Sequence, residues 1–101
     1  MVKHIILWQL KDEYTEEQKV EIRKGIKEGL EGLAGVVPGL LSVHVQAEML
    51  ASSNADVMLD STLESAEALK AYAVHPAHQA VANGKVRPYT KSRTCIDFEV
   101  E

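Results

Sequence analysis

The segment VKHIILWQL at residues 2–10 constrains the fold most, because it reads as a strand that is apolar on both faces. Side chains alternate between the two faces of a strand, so Ile5 and Leu7 share one face. The opposite face carries His4, Ile6, Trp8 and Leu10. A strand with two apolar faces has to be covered on both sides. The rest of the chain must therefore supply two separate covers for one sheet.

A helix follows this strand. Thr15-Glu16-Glu17-Gln18 matches a capping box, in which the threonine and glutamine side chains satisfy free backbone groups at a helix start. Apolar residues at near-helical spacing, from Val20 to Leu33, predict one amphipathic helix. Gly35 and the Pro38-Gly39 pair favour its end.

Five further elements are predicted after that helix. Strands at 40–47 and 56–63 can pair as a hairpin. Ser65 caps a helix that runs to about Val74, and Pro76 breaks it at His75, because a residue before proline avoids helical geometry. The remaining predicted elements are a short helix at 77–82, ending near Asn83-Gly84, and a last strand at 93–100.

The order βαββαβ predicts an α+β, ferredoxin-like fold, with a four-stranded antiparallel sheet and its helices on one face. The other sheet face is then bare, and an apolar patch of that size is unusual on a monomer. Two copies packing sheet to sheet would cover it, which predicts a homodimer through the open sheet face and a dimeric α/β barrel. A length of 101 residues predicts one domain, residues 1–101. Which pair of first-strand side chains, Ile5 with Leu7 or Ile6 with Trp8, lies on the open face is left undecided.

Composition excludes several classes of function. The net charge is −4 and the basic residues are scattered, which disfavours a nucleic-acid partner or an anionic membrane. The first apolar run is too short for a secretory leader, and no run approaches the roughly 20 residues that span a bilayer. The single cysteine, Cys95, excludes a disulfide within the chain and is expected to be a small apolar residue of the last strand. We therefore expect a soluble, cytoplasmic protein.

The segment YAVHPAHQAV, residues 72–81, brings three proton-handling side chains into seven residues. A neutral His78 could take a proton from a carbon next to a carbonyl, while Tyr72 stabilises the enolate, and this chemistry needs no cofactor. The alternative is that His78 only joins two helices, through a hydrogen bond to a backbone carbonyl. His75 is a candidate ligand-binding residue or a helix cap. Zinc-binding histidines on one helix are usually four apart, so we expect no metal site here.

Other polar and aromatic residues have two interpretations each. His4 is either a hydrogen-bonded core histidine or a group lining a ligand pocket opposite His78. Trp8 is either core or a platform for a ligand. Arg93 and Asp97 share a face of the last strand and could pair with each other or across the dimer. Arg87 and Lys91 are expected to be solvated.

Three stretches carry a resemblance to a known family: MVKHIILWQLKDEYTEEQ, LKAYAVHPAHQAV and the CIDFEV strand. Together they resemble the stress-responsive dimeric α/β-barrel (Dabb) family over essentially the whole chain. The resemblance implies an obligate homodimer whose two sheets form a barrel. One branch of the family holds a plant polyketide cyclase that uses a tyrosine and a histidine in an aldol condensation, and Tyr72 and His78 match those positions. His4 matches a first-strand histidine of that enzyme, whereas Val57 stands at about the position of a third-strand pocket histidine.

Three functional hypotheses follow. The first is a small dimeric barrel that binds an apolar or phenolic molecule, with no assigned reaction. The second is a cofactor-independent cyclase, isomerase or monooxygenase that uses Tyr72 and His78. The third is a structural stress protein without a ligand. A cavity of about 300 Å³ or more near Tyr72 would favour the first two.

Overall fold

A computed structural model describes residues 1–100 and has a four-stranded antiparallel sheet in the order β2-β3-β1-β4. This arrangement confirms the predicted α+β, ferredoxin-like plan. The elements, in chain order, are β1 (Val2–Leu10), α1 (Glu16–Glu31), β2 (Leu40–Gln46), β3 (Val57–Leu63), α2 (Ala66–Val74), α3 (Pro76–Val81) and β4 (Thr90–Glu99). A π-helical turn, Ala82–Val86, and a 3-10 turn, Arg87–Tyr89, connect α3 to β4.

Helix α1 begins with the predicted capping box. The Gln18 amide nitrogen donates to Thr15 Oγ1 at 3.2 Å, and the Thr15 amide nitrogen donates to Gln18 Oε1 at 2.9 Å. The helix ends at Glu31, before the predicted end near Gly35, where the backbone turns with φ of 82°. Val20 was expected on the apolar face but is 57% exposed. Val20 lies two positions before Ile22, which packs against the core. Two positions are about half a turn of an α-helix, so the Val20 side chain lies on the opposite, exposed side.

The sheet has one covered face and one open face. Along β1, burial alternates strictly, and the even-numbered side chains from Val2 to Leu10 are buried against the helices. Ile5 and Leu7 lie on the open face, which settles the point that the sequence left undecided. Ile5 pairs with Ile96 of β4 on that face, where Ile96 and Phe98 are 49% and 43% exposed.

The helices pack closely on the covered face. Ile26 and Leu30 of α1 and Tyr72 of α2 are fully buried in one core with the inward residues of β1 and β3. A Cβ atom on Gly29 would lie 2.9 Å from Val81 Cγ1, so glycine at this position lets α1 approach α3. The helical layer therefore lies close to the sheet next to the joint between α2 and α3.

The connection from α3 to β4 differs from the prediction. The chain stays helical through Asn83-Gly84 to Val86, because the Arg87 amide bonds back to the Ala82 carbonyl and closes a wide turn. The last strand begins at Thr90, three residues before the predicted start at Arg93. This turn places Arg87 and the first residues of β4 beside His78. Among residues 1–100, none of the helices is long and apolar enough to cross a membrane.

Candidate functional site

The joint between α2 and α3 is built by His75 and Pro76. His75 has an extended backbone, with φ of −63° and ψ of 134°, and Pro76 occupies the first turn of α3. The His75 Nδ1 atom accepts a hydrogen bond from the Ala77 amide at 3.0 Å. This confirms the helix-cap interpretation of His75. Its other candidate role, ligand binding, gains no support, because His75 does not line the cleft described below.

His78 lies half-buried on α3 and is held in one tautomer. Its Nδ1 atom is 3.2 Å from the Ala73 carbonyl oxygen. A carbonyl only accepts, so Nδ1 carries the proton and Nε2 keeps a free lone pair. Burial lowers the pKa of His78, and the charges of Arg87, His4 and Arg93 lower it further against the raising effect of the Ala73 carbonyl. The imidazole is therefore a neutral proton acceptor at pH 7.

Tyr72 packs its ring against both histidines. The ring centroids of Tyr72 and His78 are 4.3 Å apart, and those of Tyr72 and His4 are 6.1 Å apart. Tyr72 is only 1% exposed, and its hydroxyl has no hydrogen-bond partner within residues 1–100. Burial raises the pKa of Tyr72 to about 12. The phenol therefore stays protonated, as a buried donor without an acceptor.

His4 is buried and hydrogen-bonded, as the core interpretation predicted. Its Nδ1 atom lies 2.5 Å from Asp97 Oδ1 across the β1–β4 pair, and its carbonyl accepts from Ser61 Oγ at 2.8 Å. His4 does not line the cleft itself, but it packs against Tyr72. Asp97 therefore pairs with His4. Of the two alternatives given for Arg93 and Asp97, the pair within the chain is not formed among residues 1–100, and the pair across the dimer stays a prediction.

Cys95 is exposed rather than a buried apolar residue, because β4 is an edge strand whose side chains are largely uncovered. Partial burial of the sulfur and the nearby Asp97 carboxylate still raise the pKa of the thiol, which donates to Asp97 Oδ1 at 3.4 Å. His4, Cys95 and Asp97 offer ligand atoms within 4.8 Å of one another, and within residues 1–100 they are the one group of this kind. The sequence did not indicate this trio, since pairing between β1 and β4 creates it. The expectation of no metal site stays a prediction.

A cleft of about 560 Å³ opens beside His78, between the helical layer and the start of β4. Its inner wall is made of buried apolar residues: Ile6, Trp8, Leu30, Leu59, Ala82 and Val86. Its mouth is made of more exposed polar residues: His78, Arg87, Thr90, Lys91, Ser92 and Arg93. None of these twelve residues is acidic. Trp8 therefore belongs to the core, as one interpretation predicted, and it also lines the cleft. Its role as a platform for a ligand stays a prediction.

The cleft mouth also carries three cations, Arg87, Lys91 and Arg93, which the sequence did not identify as residues of the site. Arg87 donates to the side-chain oxygens of Asn83 and, at 3.4 Å, Gln79. Lys91 Nζ is held by Asp12 Oδ1 at 2.8 Å. Arg93 stands directly across from Trp8 in the β1–β4 register. Arg93 could not be assigned to the site without the pairing register of β1 with β4, because this register brings Arg93 to the wall that Trp8 forms.

Sequence comparison identifies the family. The profile of the Stress responsive A/B Barrel Domain, Dabb, matches residues 2–100. The chain belongs to the Dabb family. This confirms the resemblance that the opening segment and YAVHPAHQAV carry. The Dabb chain is also 31% identical to olivetolic acid cyclase from Cannabis sativa over 80 residues, which are 76% of this chain and 75% of that enzyme.

Solved structures agree with the fold of this Dabb protein. A protein from Bacteroides fragilis, described as dimeric, of unknown function and ferredoxin-like in fold, is 29% identical with a TM-score of 0.91. That comparison covers 98% of this chain and 95% of the other. A protein from Arabidopsis thaliana is 25% identical with a TM-score of 0.75 and covers 100% of this chain and 96% of that one. The similarity to the Bacteroides fragilis protein, which is described as dimeric, supports a homodimer for this Dabb protein.

Proposed function

We propose that this Dabb protein binds an apolar or phenolic small molecule in the cleft beside His78. The observation that carries the proposal is the cleft itself, about 560 Å³ with an apolar inner wall and a polar mouth. Small-molecule sites commonly have volumes of roughly 300–1,000 Å³, with apolar walls and a few polar groups that fix orientation. A protein whose assembly is its whole function has no need for such a cleft.

The Tyr72 hydroxyl supports the same proposal. A buried hydroxyl without an acceptor is unfavourable, and native proteins rarely keep one. Tyr72 does not line the cleft itself but packs against His78 at the mouth of the cleft. A carbonyl or phenol oxygen of a ligand that reaches past His78 would supply the acceptor. We therefore expect the ligand to carry an oxygen at its inner end.

Trp8 provides a direct test, because it is the one tryptophan of the chain and it lines the cleft. The protein is titrated with 2-naphthol, and the single indole N–H signal is followed by NMR. We expect saturable shifts of that signal. They should disappear in Ala82→Leu, which fills the cleft, and persist in Ala80→Leu, which adds the same side chain at an exposed position of α3. An unmoved indole signal, or equal binding by the two variants, would contradict the proposal.

We also propose that the homodimer forms through the open sheet face. Ile5 and Leu7 of β1, with Ile96 and Phe98 of β4, make an apolar surface that a second sheet would cover. Ile96→Glu places two carboxylates in that interface, one from each copy. We expect a weakening of dimerisation by a hundredfold or more in analytical ultracentrifugation. Val20→Glu, at an exposed position of α1, is the control. A dimer unaffected by Ile96→Glu would place the interface elsewhere.

A second candidate function is proton transfer at a carbon next to a carbonyl, as in a cofactor-independent cyclase or isomerase. Its supporting observation is the neutral His78 with Nε2 unprotonated, beside a phenol that stays protonated. In this step Nε2 takes the carbon-bound proton, and the C–H electrons move into the C=C bond of an enolate. The enolate oxygen then accepts a hydrogen bond from Tyr72.

Hydrogen–deuterium exchange measures this step without knowledge of the true substrate. The methyl protons of 2-acetylnaphthalene are followed by NMR in D₂O with and without protein. We expect exchange above the buffer rate in wild type, and a loss of most of that excess in His78→Gln. Exchange at the buffer rate in wild type would leave a binding protein without this activity. Exchange that survives in His78→Gln would exclude His78 as the base.

A further inference from the structure

We propose that Arg87 and Arg93 form a subsite for the carboxylate or phosphate group of an otherwise apolar ligand. The inference rests on the proposed function, because this subsite belongs to the same cleft. The inference adds that the ligand, proposed above to be apolar or phenolic, also carries a negatively charged group.

The first argument is the charge balance of the cleft. It is lined by three cations and no acid, although the chain as a whole has a net charge of −4. Asp12 holds Lys91 at 2.8 Å and compensates its charge. Among residues 1–100, Arg87 is held only by the amide oxygens of Asn83 and Gln79, which orient the guanidinium without cancelling its charge. Arg93 lies beside the Cys95 thiol, which is neutral, and the nearby Asp97 carboxylate pairs with His4. Arg87 and Arg93 therefore remain as cations available to a ligand.

The second argument is the position of the two arginines relative to the apolar wall of the cleft. Arg87 directly follows Val86, which is buried in the inner wall, and Arg93 lies across from Trp8 of the same wall. Both arginines are exposed at the mouth. A planar guanidinium binds the two oxygens of a carboxylate or phosphate side by side. A ligand with a ring against Trp8 and an oxyanion at the mouth would match both surfaces.

The third argument connects this subsite to His78. The groups that face its ring are Arg87 after α3, Arg93 on β4, His4 on β1, Tyr72 on α2 and the Ala73 carbonyl. Both arginines lower the pKa of the imidazole. A bound oxyanion would offset their charge and raise that pKa. An anionic ligand would therefore make His78 a stronger base at the moment it binds.

Three probes with one ring system test the subsite: 2-naphthoate, 2-naphthyl phosphate and the neutral 2-naphthamide. Binding is read from the Trp8 indole signal. We expect the anionic probes to bind about tenfold more tightly than 2-naphthamide, as one charge-assisted hydrogen bond at a partly exposed position allows. Arg87→Gln and Arg93→Gln should each remove most of this preference and leave 2-naphthamide binding unchanged. Lys24→Gln removes one positive charge from the exposed side of α1 and is the control.

A second readout is the pKa of His78, measured by NMR titration of its imidazole. It should rise when 2-naphthoate binds and stay constant when 2-naphthamide binds. It should also rise in ligand-free Arg87→Gln and Arg93→Gln. A merely structural role for the arginines would not produce this dependence on ligand charge.

The outcomes separate the inference from the proposed function. Equal binding of 2-naphthoate and 2-naphthamide, unchanged by either arginine variant, would overturn the subsite and leave the cleft as a binding site. Failure of all three probes to move the Trp8 signal would overturn both. A preference for one anionic probe that the arginine variants abolish supports the subsite and identifies its group as carboxylate or phosphate.

Discussion

Replacing Tyr72 by phenylalanine should stabilise the ligand-free protein while impairing its site. The Tyr72 hydroxyl is buried, with the residue 1% exposed, and it lacks an acceptor in residues 1–100. Burying such a group without a partner costs about 1–3 kcal/mol. Phenylalanine removes that cost and keeps the ring packed on His78, whose centroid is 4.3 Å away.

The expected gain is smaller than the full cost of the unpaired hydroxyl. Removing one oxygen atom leaves a void of about 10 Å³, which costs roughly 0.2 kcal/mol at 24 cal/mol per Å³. We therefore expect Tyr72→Phe to raise the free energy of unfolding by about 1 kcal/mol. For a domain of this size that corresponds to a midpoint about 4–8 °C higher.

The measurement is chemical and thermal denaturation of wild type and Tyr72→Phe at one protein concentration, since the stability of a dimer depends on concentration. Tyr89→Phe is the matched control, because Tyr89 is only half-buried, and its change should stay within about 0.5 kcal/mol. The same variants are then compared in the exchange of 2-acetylnaphthalene, where Tyr72→Phe should be slower despite its higher stability.

A loss of stability of 1 kcal/mol or more in Tyr72→Phe would refute the reasoning. It would mean that the hydroxyl already has an acceptor in the ligand-free protein, and a ligand oxygen would no longer be needed to satisfy it. A stabilised variant with unchanged exchange would keep the energetic argument and exclude Tyr72 from the proton-transfer step.

Three further changes test other parts of the structure. His75→Ala removes the acceptor for the Ala77 amide and should cost about 1 kcal/mol of stability, measured by denaturant unfolding; an unchanged midpoint would contradict the cap. Since burial lowers the pKa of His78, the unfolded chain binds a proton more readily, so wild type should lose stability relative to His78→Gln as pH falls below about 6.5. A difference in melting midpoint that stays constant from pH 7.5 to 5 would contradict this. Leu30 lies in the core and on the cleft wall, so Leu30→Ala should lower the free energy of unfolding by about 2–4 kcal/mol and enlarge the cleft. Calorimetry measures the first effect and the 2-naphthol titration the second. A loss below about 1 kcal/mol would contradict the burial of Leu30.

Local chemistry explains why many elements could be predicted from the sequence. Thr15 and Gln18 are three residues apart, so their capping box follows from neighbours along the chain. Pro76 disfavours helical geometry in the residue before it, so the helix breaks at His75, which then occupies the cap position. Helix α3 ends at Val81, within one residue of the prediction, but the chain stays helical to Val86, because the π-helical turn overrides the turn signal of Asn83-Gly84.

The candidate site could be predicted only in part. Tyr72 and His78 were identified because they lie in one short segment with a matching family pattern, and the structure brings their rings to 4.3 Å. Arg87 was expected to be solvated, and its place at the mouth of the cleft follows from the turn after α3. Val57 stands at about the position of the third-strand pocket histidine of the related cyclase. It is fully buried and does not line the cleft, so it does not take the place of that histidine.

The sequence by itself determined which segments are helices and strands, because caps, prolines and alternation act between residues close in the chain. Only the tertiary structure decided which face of β1 meets the helices, since alternation defines two faces without ranking them. The pairing of β1 with β4 then brought Asp97 to His4 and Arg93 to Trp8, contacts between opposite ends of the chain. Such register depends on how the whole sheet packs, and it is this register that brings Arg93 to the cleft wall.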